Sequence, residues 1–387
     1  MSPAGTLVRF VLGAAAVLGS FAPALALPTM IRLGYVNCAS CHISPQGGGP
    51  LNTYGRAIDE AQSLRAAEYR PSENGILKAL SAHGHIQQDL RMVVSEQGLW
   101  TNHEPATDVF RPRLMYRNET SLGKGFNLSA VVTGETVFAP RPSLRYDPPA
   151  RTSSVFVNTA LVRYRASKAL EFAAGKDQLP TGVDLPDLAM FVRSRNRNGY
   201  YDSPAQVKVY VGSGRYQVMP FVYTPGGNEP GGDRESGVGT LAEFDLFGTN
   251  KAVVGTSLLR GTAANGDRRM VGAYTRLGFG RWGLLAEHDV TDRTRDSATL
   301  IAGSFRQQAS FAQVFVALRE WLVASASGER LHVEQPFAER LVAGKLELGA
   351  RLTNQAAISL AARTQRNQLT GVWGNSVALQ VAVKTAQ

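Results

Sequence analysis

The sequence predicts an all-β protein, a transmembrane up-and-down β-barrel of about 16 strands, preceded by a small N-terminal segment of α and irregular structure. Three observations predict it. The first 26 residues read as an export leader, segments after residue 77 alternate apolar and polar side chains, and the links between those segments alternate short and long.

The leader is "MSPAGTLVRFVLGAAAVLGSFAPALA". Arg9 precedes a short apolar run from Phe10 to Ser20, and Ala24-Leu25-Ala26 is a small-x-small cleavage site. That is the layout of a secretory signal peptide. The run falls short of the roughly 20 apolar residues that a membrane helix needs. The chain is therefore expected outside the cytoplasm.

Within residues 77–387, Phe126, Leu128, Ala130 and Val132 alternate with Asn127, Ser129 and Thr133. Val342, Leu346, Leu348 and Ala350 alternate with Lys345, Glu347 and Arg351, and Val377, Leu379, Val381 and Val383 with Ser376, Gln380 and Lys384. A period of two gives each strand one apolar and one polar face. A soluble sandwich would alternate too, so the links decide. Tight links are read at 123–124, 167–168, 212–214, 248–250, 280–281, 307–308 and 353–354. Longer ones are read at 95–108, 139–153, 179–203, 224–236, 261–267, 291–296, 320–337 and 367–372. Short periplasmic turns alternating with longer outer loops mark a barrel of the bacterial outer membrane, with lipid as its surroundings and both ends on the periplasmic side.

The net charge is +10 and the pI about 9.7. Export and the scatter of the basic residues argue against a nucleic-acid partner. The densest basic group, Arg193-Ser-Arg-Asn-Arg197, reads as a solvated loop.

Residues 27–76 are different. They contain "GYVNCASCHISPQGGGPLNTYGR", then a short helix expected from Asn52 to about Glu68. Both cysteines of the chain are here, Cys38 and Cys41, with His42 directly after. C-x-x-C-H is the attachment motif of a c-type haem. Cys38 and Cys41 would form thioethers to the two vinyl groups of one haem c, and His42 would ligate the iron from below. A redox dithiol wants a βαβ context, and zinc wants four ligands; the sequence offers neither. A simple Cys38–Cys41 disulfide is the remaining rival. A haem needs a wall on both faces, and so short a segment makes a poor core of its own. Residues 27–76 are therefore expected to sit in the barrel mouth or lumen as a haem-bearing plug.

Candidates for the sixth iron ligand are His85 and His83, on the polar face of the first strand. Their bland reading is ordinary lumen-lining polarity. Met115 and Met30 are the sulfur alternatives, while Met92 falls on the lipid face. Arg56 is placed to pair with a haem propionate, or else is a solvated helix residue. No catalytic constellation is visible: His288 and His332 stand alone, and loop acids such as Asp184 and Asp187 are too generic for a metal site.

Leader, single "CASCH" and terminal barrel together resemble the fused monohaem cytochrome–porins of bacteria that exchange electrons with extracellular iron. The resemblance spans the whole chain, and Cys38, Cys41 and His42 carry over individually. It implies electron transfer across the outer membrane through one haem, with a periplasmic redox carrier on one side and an extracellular donor or acceptor on the other. An extracellular iron oxidoreductase activity would be one form of this. Two alternatives stay open: a solute-conducting porin whose haem plug is structural or gating, and a soluble periplasmic haem protein.

Overall fold

The structure, a computed structural model, describes residues 86–384 apart from 103–106, 139–152, 168, 184, 186–188, 199–201, 214, 227–233, 248–250, 296–302 and 354–355. Cys38, Cys41, His42, Arg56, His83, His85 and Met30 lie outside the described residues, as do Asp184, Asp187 and residues 1–26, where a leader is expected.

Sixteen antiparallel strands form one closed barrel. They are β1 (Ile86–Thr101), β2 (Thr107–Gly123), β3 (Phe126–Thr136), β4 (Ser153–Arg165), β5 (Leu170–Lys176), β6 (Ala205–Ser213), β7 (Tyr216–Thr224) and β8 (Glu235–Asp245). They continue with β9 (Ala252–Ala263), β10 (Gly266–Phe279), β11 (Trp282–Arg295), β12 (Gly303–Ala317), β13 (Leu322–Val333), β14 (Glu339–Arg351), β15 (Ala356–Asn367) and β16 (Trp373–Lys384). Each strand pairs with its sequence neighbours, and β16 returns to β1 with Arg91 opposite Lys384 and Thr101 opposite Gly374. Closure leaves no edge strand, which is what a spanning sheet requires where lipid offers no hydrogen bonds.

The period-two pattern explains the two faces. Leu114, Leu128, Val162, Val222, Val271, Leu346 and Leu360 point outward and are exposed. Arg117, Glu119, Arg163, Glu171, Gln206 and Lys208 point inward and are buried. The outward face carries aromatic side chains at both rims. Phe126, Tyr164, Phe172, Tyr216, Phe244, Phe279 and Trp282 lie at the short-turn end, and Trp100, Phe110, Phe138 and Trp373 at the long-loop end. Phe126 and Tyr164 stack with ring centroids 4.5 Å apart. An apolar belt between two aromatic girdles is the outer surface of an outer-membrane barrel, and the chain is placed there.

The tightest link, Gly123-Lys124-Gly125, has three successive left-handed residues, φ 80, 49 and 83. A Cβ at Gly125 would stand 2.4 Å from the Arg165 carbonyl oxygen, so the turn needs glycine there.

Several links differ from those read in the sequence. The residues 307–308 lie inside β12, and 320–337 contains β13. The turn joining these two strands is at 318–321, so the two displacements cancel and the count of 16 stands. The cause is the inverted polarity of β13. Its apolar residues Val323, Leu331 and Val333 are buried on the lumen side, while Ala326, Gly328 and Arg330 face outward. The outer link near 261–267 is a tight hairpin at 264–265, so short and long links do not alternate strictly. The first outer link is 102–106 rather than 95–108, because β1 and β2 extend further, and the link after β11 is 296–302.

The segment between β5 and β6 departs most from expectation. The sequence predicts an outer loop with a solvated basic group there. It leaves the long-loop end but folds back inside the barrel, carrying a single helical turn, α1 (Phe191–Ser194). Arg193 is buried, donating to the Val183 carbonyl at 3.0 Å and to Thr181 Oγ1 at 3.2 Å. The reason is its apolar content: Val183, Met190, Phe191 and Val192 join Met219, Leu285, Phe311, Phe315 and Leu331 of the strands in one buried cluster.

Candidate channel lumen

Two walls of the lumen can be built from these elements. The first runs from β6 to β15 and holds the inserted loop. Val183 N–H donates to Glu287 at 2.7 Å and Phe191 N–H to Glu329 at 2.7 Å. These acids supply acceptors for backbone donors of a loop that would otherwise be buried without partners. Gly182 has φ +53, and a Cβ there would collide with the Glu287 carboxylate. Its own N–H reaches Ser257 Oγ at 2.8 Å.

Asn196 is 0% exposed and has all four amide positions filled. Its Nδ2 donates to the Val192 carbonyl at 3.1 Å and to Asp289 at 2.6 Å. Its Oδ1 accepts from Thr291 at 2.9 Å and Gln307 at 2.7 Å. Arg268 donates to its backbone carbonyl. Ion pairs close the rest: Arg195 with Glu339 at 2.8 Å, Arg276 with Glu243 at 2.7 Å, Lys208 with Asp177 at 2.7 Å, and Arg363 with Glu329. Charges are balanced here because a dry interior penalises an uncompensated one.

The second wall is the seam where the barrel closes, β1, β2 and β16 with their neighbours. Arg91, Arg111, Arg113 and Met115 face the lumen half-buried, and Arg117 and Lys384 face it buried. Lys384, Arg91 and Met115 are successive register partners across three strands. Arg113 is paired with Glu135 at 2.5 Å, and Arg117 has Asp89 as its register partner. Val93, Ala357 and Ala382 form a small buried apolar patch between these cations, with Met115 packed against it. Further along, Arg163 binds Glu171 at 2.7 Å and Glu119 at 3.1 Å. The seam thus lines the lumen with a row of cations, some of them held by acids of the neighbouring strands, whereas on the loop side the ion pairs hold the inserted loop.

Fold, girdles and lumen together define the class: this is a porin-type barrel of the outer membrane. No protein-family profile matches the chain, and no curated protein matches it in sequence. Among solved structures it is similar to an anion-selective porin from Comamonas acidovorans, with TM-score 0.57 and 13% identity over 77% of this chain and 99% of that one. It is also similar to OprB of Pseudomonas putida, with TM-score 0.58 and 11% identity over 78% of this chain and 94% of that one. The outer-membrane channel DcaP of Acinetobacter baumannii matches with TM-score 0.56 and 9% identity, over 77% of this chain and 97% of that one. At such identities the likeness is one of fold.

Of the site residues read in the sequence, Met115 is brought to the lumen, beside Arg91. Met92 lies on the outward face, as its register predicts. His288 also points outward, with Nδ1 2.8 Å from Ser310 Oγ. Periodicity in the sequence does not disclose the inserted loop or its anchors Glu287, Glu329 and Asn196. The available signal was the apolar content of "LPTGVDLPDLAMFVRS", excessive for an outer loop in water.

Proposed function

We propose that this chain is a solute channel of the outer membrane whose lumen favours anions, with one covalent haem on Cys38 and Cys41 ligated by His42 at the periplasmic side. The observation that carries the channel reading is the row of cations on one lumen face at the seam. Arg91, Arg111, Arg113, Arg117 and Lys384 all point into the lumen there. A barrel of about this size leaves room for an aqueous path, and a basic stripe along such a path raises the local concentration of anions. The anion-selective porin among the fold relatives supports this reading. The haem rests on "CASCH" and on the export leader.

The test is conductance of the full-length protein in planar bilayers under a salt gradient. The zero-current potential should report anion preference, and the Cys38→Ala/Cys41→Ala variant should conduct at least as well as the parent. Absence of conductance from both proteins would overturn the channel reading.

The motif itself favours a second reading, electron transfer between a periplasmic carrier and an external donor or acceptor. In liposomes holding an impermeant acceptor, an impermeant external donor should then reduce the haem and the enclosed acceptor in turn. Haem that stays oxidised under those conditions would exclude it.

A further inference from the structure

We propose that the outward face of β13, β14 and β15 binds a phosphorylated lipid of the outer leaflet, with the headgroup phosphates on Arg330, Arg340 and Arg366 and an acyl chain in a trough beneath them.

The register places the three cations. Arg330 and Arg366 are both partners of Val342, one from each side, so they lie in one row across three strands. Two strand spacings separate them, about 10 Å. Arg340 stands two residues further along β14 on the same face, diagonal to both at about 7–8 Å. Its partner on β13 is His332, which shares that face. All three arginines are exposed. Among the described residues, the guanidinium groups of Arg330 and Arg340 make no hydrogen bond or ion pair. That of Arg366 lies over the Trp373 ring, 5.1 Å from its centroid. The acids of these strands, Glu329, Glu339 and Glu347, face the lumen. Asp292 and Glu334 lie towards Arg306 instead, Asp292 pairing with it at 2.8 Å. Three cations this close repel one another, and a phosphate between them turns that repulsion into charge-assisted hydrogen bonds.

The depth fits a headgroup. Arg340 and Arg366 stand eleven and ten residues from the short-turn ends of their strands, Arg351 and Ala356. At ~3.3 Å per residue and a tilt of about 40°, that is roughly 25 Å, the height of the apolar band. Trp373, the register partner of Arg366, belongs to the long-loop girdle at the same level. Cations fixed at this level attract anionic headgroups.

The surface below the cations is hollow. Gly328 and Gly344 are direct partners on the outward face, with Ala312 and Thr364 on either side. A Cβ at Gly328 would meet nothing within 4 Å, and one at Gly344 nothing nearer than 3.9 Å. Leu346 and Leu348 continue the apolar surface towards the short-turn end. A hydrocarbon chain fills such a trough, whereas the flat wall of a second barrel would leave it empty and lose those contacts. Charge above and a hollow below together name the occupant.

The experiment uses the full chain, purified in detergent, stripped of bound lipid and shown by heat-modifiable electrophoresis to be a folded barrel in every variant. Native mass spectrometry counts the lipid held when bisphosphorylated lipid A, its dephosphorylated form or phosphatidylethanolamine is added. The parent should hold one bisphosphorylated lipid per barrel in preference to the other two. Arg340→Gln/Arg366→Gln should weaken that binding at least about tenfold, the worth of one lost charge-assisted bond. Gly328→Leu, whose Cβ meets nothing within 4 Å, should weaken it with every charge still in place. Arg260→Gln/Arg269→Gln removes the same charge from outward positions on β9 and β10 and should bind as the parent does. A parent that holds no lipid A, or an equal loss in the Arg260/Arg269 variant, would overturn the site. So would loss of self-association rather than of lipid in Arg340→Gln/Arg366→Gln, which would give the face to a second copy of the chain.

Discussion

The two walls of the lumen use charge to different ends. On the loop side ion pairs and hydrogen bonds lock the inserted loop: Arg276 faces Glu243, Arg195 faces Glu339, and Asn196 has four side-chain hydrogen bonds. On the seam, Arg91 stands opposite Lys384, and Arg111, Arg113 and Arg117 follow at two- and four-residue steps on the same face. The contrast teaches where specificity is located. A wall that completes itself holds a loop in place. A wall that concentrates one sign of charge sets which ion or ligand approaches it.

The strongest way to break the contrast is to release the loop. Phe191 is 0% exposed at the centre of the apolar cluster, beneath the Arg363 guanidinium, 5.4 Å from its ring centroid. Phe191→Ala should weaken loop docking by about 3–5 kcal/mol. Single-channel conductance should rise, and a protease site placed in the loop should become cleavable in the folded barrel. An unchanged conductance would mean that the loop does not narrow the path.

A smaller effect is expected at Asn196. Asn196→Ala leaves Asp289, Thr291 and Gln307 short of one partner each in a buried setting. The cost is on the order of 1–3 kcal/mol, seen as a lower unfolding temperature and increased gating noise. Asn196→Asp should be worse than Ala at neutral pH, because it adds a further carboxylate beside Asp289, which already has Glu287 as a neighbour. If Asp restored the parent's behaviour, the assigned donor role of Nδ2 would be wrong.

The smallest effect on stability, and the sharpest on selectivity, belongs to the seam. Arg111 is half-buried on the lumen face. Arg111→Glu should move the zero-current potential towards cations while leaving the unfolding temperature nearly unchanged. The matched substitution on the loop side, Arg276→Gln, should do the reverse: it disturbs Glu243, which also accepts from Tyr274 at 2.6 Å, and leaves selectivity as it was. Equal selectivity changes from both would erase the distinction between the walls.

The barrel itself was legible because lipid on one side and polar contents on the other force a strict period of two. Phe126 to Val132 and Val377 to Val383 display it plainly. The count of 16 agrees because the link expected at 307–308, inside β12, offsets the strand β13 hidden within 320–337. Legibility failed where the lumen is itself apolar. In β13 the buried Val323, Leu331 and Val333 face inward against the inserted loop, so the strand was absorbed into an outer link. The same cause hid the loop, since apolar residues between strands do not say on which side of the wall they will be covered.

The sequence by itself determined what local chemistry can specify: two thiols and a histidine at C-x-x-C-H spacing, a short apolar run in the first 26 residues, and strands of alternating polarity. Tertiary structure decided which side chains share a space. Arg91 and Lys384 are far apart in the chain and become neighbours only when β16 closes on β1. Val183 meets Glu287, and Phe191 meets Glu329, only when the loop turns inward. Burying that loop depends on long-range packing and on acids supplied from distant strands, and neither has a local periodicity to announce it.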